Sequence, residues 1–284
     1  MIIVRLQGGL GNQMFQYAAG KALAAQLNVP FKLETITSLQ KDKHRSIALE
    51  ELETKFELAS WKEVKEFVRH PALYRHPVGL LKGGNHIYRE PHFHFDKNFF
   101  KINDPVFLDG FWQSPLYFES IENIIRKNFV VKPGFIHNVI EKGKELESTN
   151  SLAVHIRRGD FLNPKIAAYH GVLSAFYFEK AIALVKEKEP SATVYFFSDD
   201  IDWVKQNLAR YKNAEFVSSF THSAIEDFYL MTKCRHNIIA NSSFSWWPAW
   251  LNTNPGKIVV APKKWFAVSS INTGDLIPDN WIRI

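Results

Sequence analysis

Apolar residues follow two different periods along this chain. Ile2, Ile3 and Val4 form a short continuous run that suits a buried strand. Gly8-Gly9-Leu10-Gly11-Asn12 then reads as a turn, and Ala18 to Leu27 is rich in strong helix formers. Pro30-Phe31-Lys32-Leu33 is the next short apolar run, so the opening residues form a β-α-β pattern. Residues 41–70 are charged and helical in part, as over Ser60 to Val68, and residues 71–100 are the least regular stretch. Val106-Phe107-Leu108 predicts a strand and Ile121 to Phe129 a helix.

The second half alternates more cleanly. Ser151 to Ile156, Thr193 to Phe197, Glu215 to Val217, Asn237 to Ala240 and Lys257 to Ala261 predict strands. Between them, Phe178, Ala181, Ile182 and Val185 share one helical face, as do Ile225, Phe228, Tyr229 and Thr232. Asp200 can cap a helix from Ile201 to about Leu208, and Ser245 to Leu251 predicts another, with Pro248 in its early turns. Strand and helix in strict alternation imply a doubly wound parallel sheet. Lys132-Pro133-Gly134 and the polar run Glu141 to Asn150 are the best boundary signals, which divides the chain into domains 1–148 and 149–284.

Composition narrows the classes. With 284 residues, 46% of them hydrophobic, the chain has the material for real cores. Its single cysteine, Cys234, excludes an internal disulfide framework. No window has the roughly 18 apolar residues of a membrane span, and Met1 to Leu6 has no signal-peptide pattern, so a cytoplasmic place is expected. The net charge of +6 suits nucleic acid, an anionic membrane met at its periphery, or an anionic small substrate. No block of five or six basic residues marks a nucleic-acid tail, so no nucleic-acid partner is expected.

Four turns carry candidate chemistry, and in doubly wound sheets ligands sit beyond the carboxyl ends of strands. His155-Ile156-Arg157-Arg158-Gly159-Asp160 leaves a buried strand with two arginines, whose planar forks suit a diphosphate. Alternation puts His155 and Arg157 on one face and Arg158 on the other, where it can pair with Asp160. A structural ion pair explains the same residues without a ligand. Ser198-Asp199-Asp200 closes a strand and opens a helix; its carboxylates could meet a nucleoside, or simply cap the helix. Asn241-Ser242-Ser243-Phe244 does the same and offers free backbone N–H groups to an anion. The loop containing Gly9, Gly11 and Asn12 lets a ligand approach the backbone, although its spacing is not that of a dinucleotide fingerprint. His86, His92 and His94 have no evident third partner for a metal, and most of Trp246, Trp247, Trp250, Trp265 and Trp281 read as core.

Taken in order, GGLGNQMFQYA from Gly8, GFWQSPLYF at 110–118, HIRRGDF at 155–161, FFSDD at 196–200 and NSSFSWWPAWL at 241–251 resemble the bacterial α-1,2-fucosyltransferases of glycosyltransferase family 11. The resemblance implies an α/β, GT-B type architecture of two Rossmann-like domains facing a cleft, the first on the acceptor side and the second binding the donor. It implies GDP-β-L-fucose as donor, a terminal β-galactoside as acceptor, either lipid-linked or a free lactose-like sugar, inversion at the anomeric carbon, and no metal or other cofactor. Carried onto this chain, Arg157 meets the β-phosphate and His155 lies beside the nucleotide. Asp199 and Asp200 fall toward the guanosine, and Ser242, Ser243 and Phe244 toward the phosphates. Asp160 is the first candidate for a base, ahead of Glu90 and His170. Trp112 departs from the Tyr-Phe or Phe-Phe pair of the family, which bears on acceptor preference. Other readings are a transferase for another nucleotide sugar, a non-catalytic sugar-binding protein, and a nucleic-acid binder.

Overall fold

A computed structural model describes residues 1–39, 46–68, 86–211 and 213–284. The expectations for residues 41–45 and 69–85 lie outside the described residues. The chain forms two units, residues 1–130 with 272–276, and residues 131–271 with 277–284. The break therefore falls at Val130/Val131, not at 148/149. The polar run expected as a linker is a helix of the second unit, for the reason given below.

The first unit starts with β1 (Ile2–Arg5), α1 (Leu10–Leu27) and β2 (Phe31–Glu34), then β3 (Glu57–Leu58), α2 (Trp61–Phe67), β4 (His86–Arg89), β5 (Val106–Asp109) and α3 (Glu122–Asn128). Its strands pair in parallel in the order β3-β2-β1-β5-β4. β1 is fully buried, as a central strand with an all-apolar start must be. α1 begins eight residues before the predicted start. Glycines at positions 9 and 11 lower local helix propensity, but the first turns are held by tertiary bonds instead. Gln16 Oε1 accepts the Gln7 N–H at 2.9 Å, and Gln13 Nε2 donates to the Gly8 and Ser46 carbonyls at 3.0 and 2.9 Å. α2 follows its signals: Ser60 and Glu63 complete a capping box.

The second unit contains α4 (Ile140–Ser148), β6 (Ser151–Ile156), α5 (Pro164–His170), α6 (Ala175–Lys188), β7 (Thr193–Ser198), α7 (Ile201–Asn207), β8 (Glu215–Phe216), α8 (Ala224–Lys233), β9 (His236–Ile238), α9 (Ser243–Leu251), β10 (Val259–Ala261) and β11 (Ile282–Arg283). α4 forms because its polar run still buries Gly143 and Leu146, with Gly143 closed against the Tyr229 ring of α8. All pairings are again parallel, in the order β8-β7-β6-β9-β10-β11. Numbered within the unit, that is 3-2-1-4-5-6, the dinucleotide-fold order, whose direction of winding reverses between β6 and β9. The core beneath it packs Leu152, Val154 and Ile156 of β6 against Phe178, Ile182 and Val185 of α6. Trp246, Trp247, Trp250, Trp265 and Trp281 are all buried, so they belong to packing. Pro248 lies in the interior of α9 rather than its first turn; the burial of its neighbours holds the helix despite the lost N–H. Among the described residues no helix is long and apolar enough to cross a membrane.

Candidate active site

The reversal point between β6 and β9 is where a ligand site belongs in such a sheet. The chain delivers three of the four candidate turns there or beside it. β6 pairs with β7 so that Ile156 sits opposite Ser198. One step further, Arg157 and Arg158 therefore emerge beside Asp199 and Asp200.

Their contacts correct the expected pairing. Arg157 Nη2 meets Asp160 Oδ1 at 2.7 Å and Nη1 meets Asp199 Oδ2 at 2.7 Å. Arg158 does not reach Asp160. Its Nε donates to Asp200 Oδ2 at 3.0 Å, and its guanidinium lies 4.0 Å over the Trp203 ring. The reason is the strand alternation itself: the two arginines leave on opposite faces, and each finds the carboxylate on its own side. Asp200 also caps α7 by accepting the Trp203 N–H at 3.3 Å, so its side chain is committed to the scaffold. Asp199 Oδ1 accepts the Arg158 backbone N–H at 2.8 Å. Ser198 supports the turn from within: its N–H donates to Ser218 Oγ at 3.0 Å and its Oγ accepts the Asp200 N–H at 2.9 Å.

His155 is buried at the end of β6, with its ring 5.5 Å from that of Phe244. This contact ties the β6 terminus to the start of α9. Burial, reinforced by the nearby Arg157, lowers its pKa to about 3, so the ring is neutral at ordinary pH. Its Nδ1 is buried with no hydrogen-bond partner among the described residues. Such atoms are uncommon in folded proteins, and a water, an ion or a ligand completes their bonding.

At α9, Ser242 caps the helix by accepting the Phe244 N–H at 3.3 Å, and Ser242, Ser243 and Phe244 are half-buried. The N-terminal N–H groups and the positive end of the helix dipole favour an anion here. Asn241 has a different duty. Its Nδ2 donates to the His170 and Trp265 carbonyls at 2.8 and 3.1 Å, clasping two loops behind the site. The fourth turn, with Gly9, Gly11 and Asn12, stands at the carboxyl end of β1 in the first unit. Gly8 there takes a left-handed φ of 80°, and a Cβ on it would collide with the Asn12 side chain.

The weaker base candidates also have defined surroundings. Glu90 is largely shut from water, which pushes its pKa up to about 7 even though its carboxylate accepts two backbone N–H groups. His170 stacks on Phe161 at 4.8 Å, and burial lowers its pKa. His92 and His94 stack on each other at 3.6 Å, with His92 Nδ1 facing the His94 carbonyl. Among the described residues no group of three His, Cys, Asp or Glu side chains is placed to hold a metal ion.

Sequence reasoning missed Gly159, Ser218 and Asp227. Asp199 packs where a Cβ of residue 159 would stand. Ser218 Oγ and Thr221 Oγ1 donate to Asp227 at 2.5 and 2.6 Å, which steadies the loop that holds Ser198. The Ser-Ser-x-Thr spacing ahead of an acidic helix start was the available signal.

The whole chain, residues 1–284, matches the family described as Glycosyl transferase family 11. The chain belongs to that family. It is 35% identical to the O-antigen biosynthesis glycosyltransferase WbnK of Escherichia coli, over 98% of this chain and 99% of that protein. It is 34% identical to an Escherichia coli alpha-1,2-colitosyltransferase, over 100% and 99%. Its fold is similar to that of the Bradyrhizobium fucosyltransferase NodZ, with a TM-score of 0.51 and 15% identity over 88% of this chain and 91% of that one. The enzyme is thus a glycosyltransferase of α/β, GT-B type, built from two Rossmann-like units.

Proposed function

We propose that this enzyme is an inverting galactoside 2-α-L-fucosyltransferase that uses GDP-β-L-fucose. The observation that carries the reading is the placement of Arg157. It stands at the winding reversal of the second sheet, fixed by Asp160 and Asp199, with the His155–Phe244 contact linking its strand to the N-terminus of α9. Breaking the bond between the fucose anomeric carbon and its phosphate oxygen leaves negative charge on GDP. Arg157 and the α9 N-terminus stabilise that charge without a metal, and preorganised groups of this kind carry much of an enzyme's rate enhancement. The acceptor 2-hydroxyl attacks the opposite face of the anomeric carbon and gives up its proton to water as the new bond forms. Asp160 is committed to Arg157, so its part is to position that arginine; the developing cationic sugar lowers the demand on any base. Residues Ser242, Ser243 and Phe244 take the phosphate end and Asp199 the nucleoside side of Arg157. The first unit, with its Gly9-to-Asn12 loop, serves the acceptor. The similarity to an O-antigen biosynthesis glycosyltransferase supports a surface-glycan acceptor. A lipid-linked form of that acceptor, met at an anionic membrane surface from the cytoplasmic side, is the part of this reading that the +6 charge favours.

One observation favours a second reading. The colitosyltransferase is as similar to this chain as the O-antigen enzyme, so nucleotide-activated colitose is the competing donor. Released nucleotide is measured with GDP-fucose, activated colitose and UDP-sugars, each with a β-galactoside, with and without EDTA. Turnover with GDP-fucose that EDTA leaves unchanged is expected. Exclusive use of colitose, or strict metal dependence, overturns the first reading.

A further inference from the structure

The carboxyl edge of the first sheet has its own built cluster. Arg5, ending β1, donates from Nη1 to Asp109 Oδ1 at 2.8 Å and to Gln7 Oε1 at 3.0 Å, and from Nε to Thr37 Oγ1 at 2.9 Å. Arg89, ending β4, lies 3.6 Å from the other oxygen of Asp109. The two guanidinium groups thus share the one Asp109 carboxylate, and Arg5 is held on three side chains at once. Around them stand amides: Gln7 Nε2 reaches the Gly110 carbonyl at 3.4 Å and Gln113 Nε2 donates to Asn12 Oδ1 at 2.7 Å. Amides at this edge offer both donors and acceptors, as a hydroxyl-rich ligand requires.

Above this cluster the chain does something costly. Trp112 takes a left-handed φ of 56°, a conformation that bulky residues avoid. Glu90 over-determines it. One carboxylate oxygen accepts the Phe111 N–H at 2.7 Å and the other the Trp112 N–H at 2.9 Å, while the Glu90 N–H donates to the Asp109 carbonyl at 2.9 Å. The reversal leaves neighbouring rings in unlike surroundings. Trp112 is fully buried against Phe99 and Tyr117, at 5.0 and 5.5 Å, whereas Phe111 is 38% exposed. Strained backbone persists where the surroundings enforce it, and such strain gathers at functional sites. Here its result is a partly exposed aromatic ring on a braced stem just past the carboxyl end of β5. The departure at Trp112 noted in the sequence is therefore a matter of packing, and the outward ring is its neighbour.

We propose that Phe111 is the platform on which the acceptor sugar ring stacks, and that Glu90 is the positioning residue that holds it there. The inference rests on the reading of this chain as a transferase to a glycan acceptor. The electron-rich ring face meets the apolar C–H face of the sugar, and the amides beside it meet the hydroxyls.

Steady-state kinetics of Phe111→Ala, Phe111→Tyr and Glu90→Gln, with calorimetric GDP binding for each, test it. Phe111→Ala should raise the acceptor KM about tenfold, with donor KM and GDP affinity within twofold of wild type. Phe111→Tyr should restore the acceptor KM. Glu90→Gln offers the two N–H groups only one oxygen, so it should raise the acceptor KM while leaving GDP affinity alone. An unaltered acceptor KM in Phe111→Ala, or a Tyr variant as impaired as the Ala variant, overturns the platform. Should Glu90→Gln fail to fold, the two Phe111 variants decide, since that side chain is exposed. Absence of GDP binding by the wild type defeats the donor reading instead; calorimetric binding of a β-galactoside, weakened in Phe111→Ala and restored in Phe111→Tyr, then decides the platform, and equal binding by all three proteins overturns it.

Discussion

Asp199 grips two consecutive residues of the arginine motif at once: Oδ2 lies 2.7 Å from Arg157 Nη1, and Oδ1 accepts the Arg158 backbone N–H at 2.8 Å. The carboxylate comes from β7 and the arginines from β6, so the sheet register sets the geometry of the site. Arg157 has five N–H donors, and Asp199 and Asp160 occupy one each. Three donors remain on a side chain that is 32% exposed. An anion can therefore bind Arg157 without breaking the pairs that aim it. Arg158, with 15% exposure, a carboxylate and a Trp face, is built into the wall.

This division predicts unequal variants. Arg157→Ala should lower kcat by a factor on the order of 10² to 10³, as loss of a transition-state charge contact does. Arg157→Lys should recover little, because a point charge cannot bridge two carboxylates and still offer a fork. Arg158→Ala should instead cost about 1 kcal/mol of stability through the lost ring contact and hydrogen bond, with a much smaller change in kcat. Turnover numbers and urea midpoints of the three variants check this. Equal loss of kcat in Arg157→Ala and Arg158→Ala would refute the division of roles.

Gly159 should matter for the same reason. A Cβ there collides with Asp199 Oδ2, so Gly159→Ala must swing the carboxylate away from Arg157. The expected result is a kcat reduced about tenfold with a melting temperature close to wild type, because the displaced group is a partly exposed side chain. Combined with Asp199→Asn, the two losses should not add, since they act on one contact. Additive losses measured in the double variant would place the effect of Gly159 elsewhere.

What was legible in the sequence was local or periodic. β6 and the α7 cap at Asp200 were legible because burial pattern and capping chemistry lie within a few residues of each other. α5 had an equally local signal, Asn163 before Pro164, and was overlooked. The pairing of Arg157 was not legible, since it depends on which residue of β7 lies across from Ile156. The start of α1 was hidden because Gly9 and Gly11 speak against helix, while the bonds that override them come from Gln13 and Gln16 folding back on the loop. The unit boundary misled for a similar reason: α4 is polar along most of its length, and only its narrow face against α8 shows where it belongs. The candidate residues were found as strand-end turns, whereas their division into ligand-facing and scaffold groups needed the structure.

His155 supplies a pH prediction with a definite sign. Its pKa falls from the ordinary 6.5 to about 3 in the folded protein, through burial first and the Arg157 charge second. Between those values the unfolded chain takes up a proton that the folded chain refuses. The stabilisation is therefore complete above about pH 6.5 and is lost as pH falls toward 3, at up to about 1.4 kcal/mol per pH unit. Glu90 and Asp227 act in the opposite sense, because burial raises their pKa values to about 7 and about 6. Each makes the protein less stable as pH rises through its window, so wild-type stability alone cannot isolate the histidine. The difference between wild type and His155→Phe can, since Phe keeps the ring packing against Phe244 and does not titrate. The wild-type urea midpoint minus that of the variant should fall steadily from pH 7.5 through 6.0 to 5.0, as wild type loses stability relative to the variant. A gap that stays constant across that range would mean that His155 titrates alike in both states, and that its ring is not held neutral by the site.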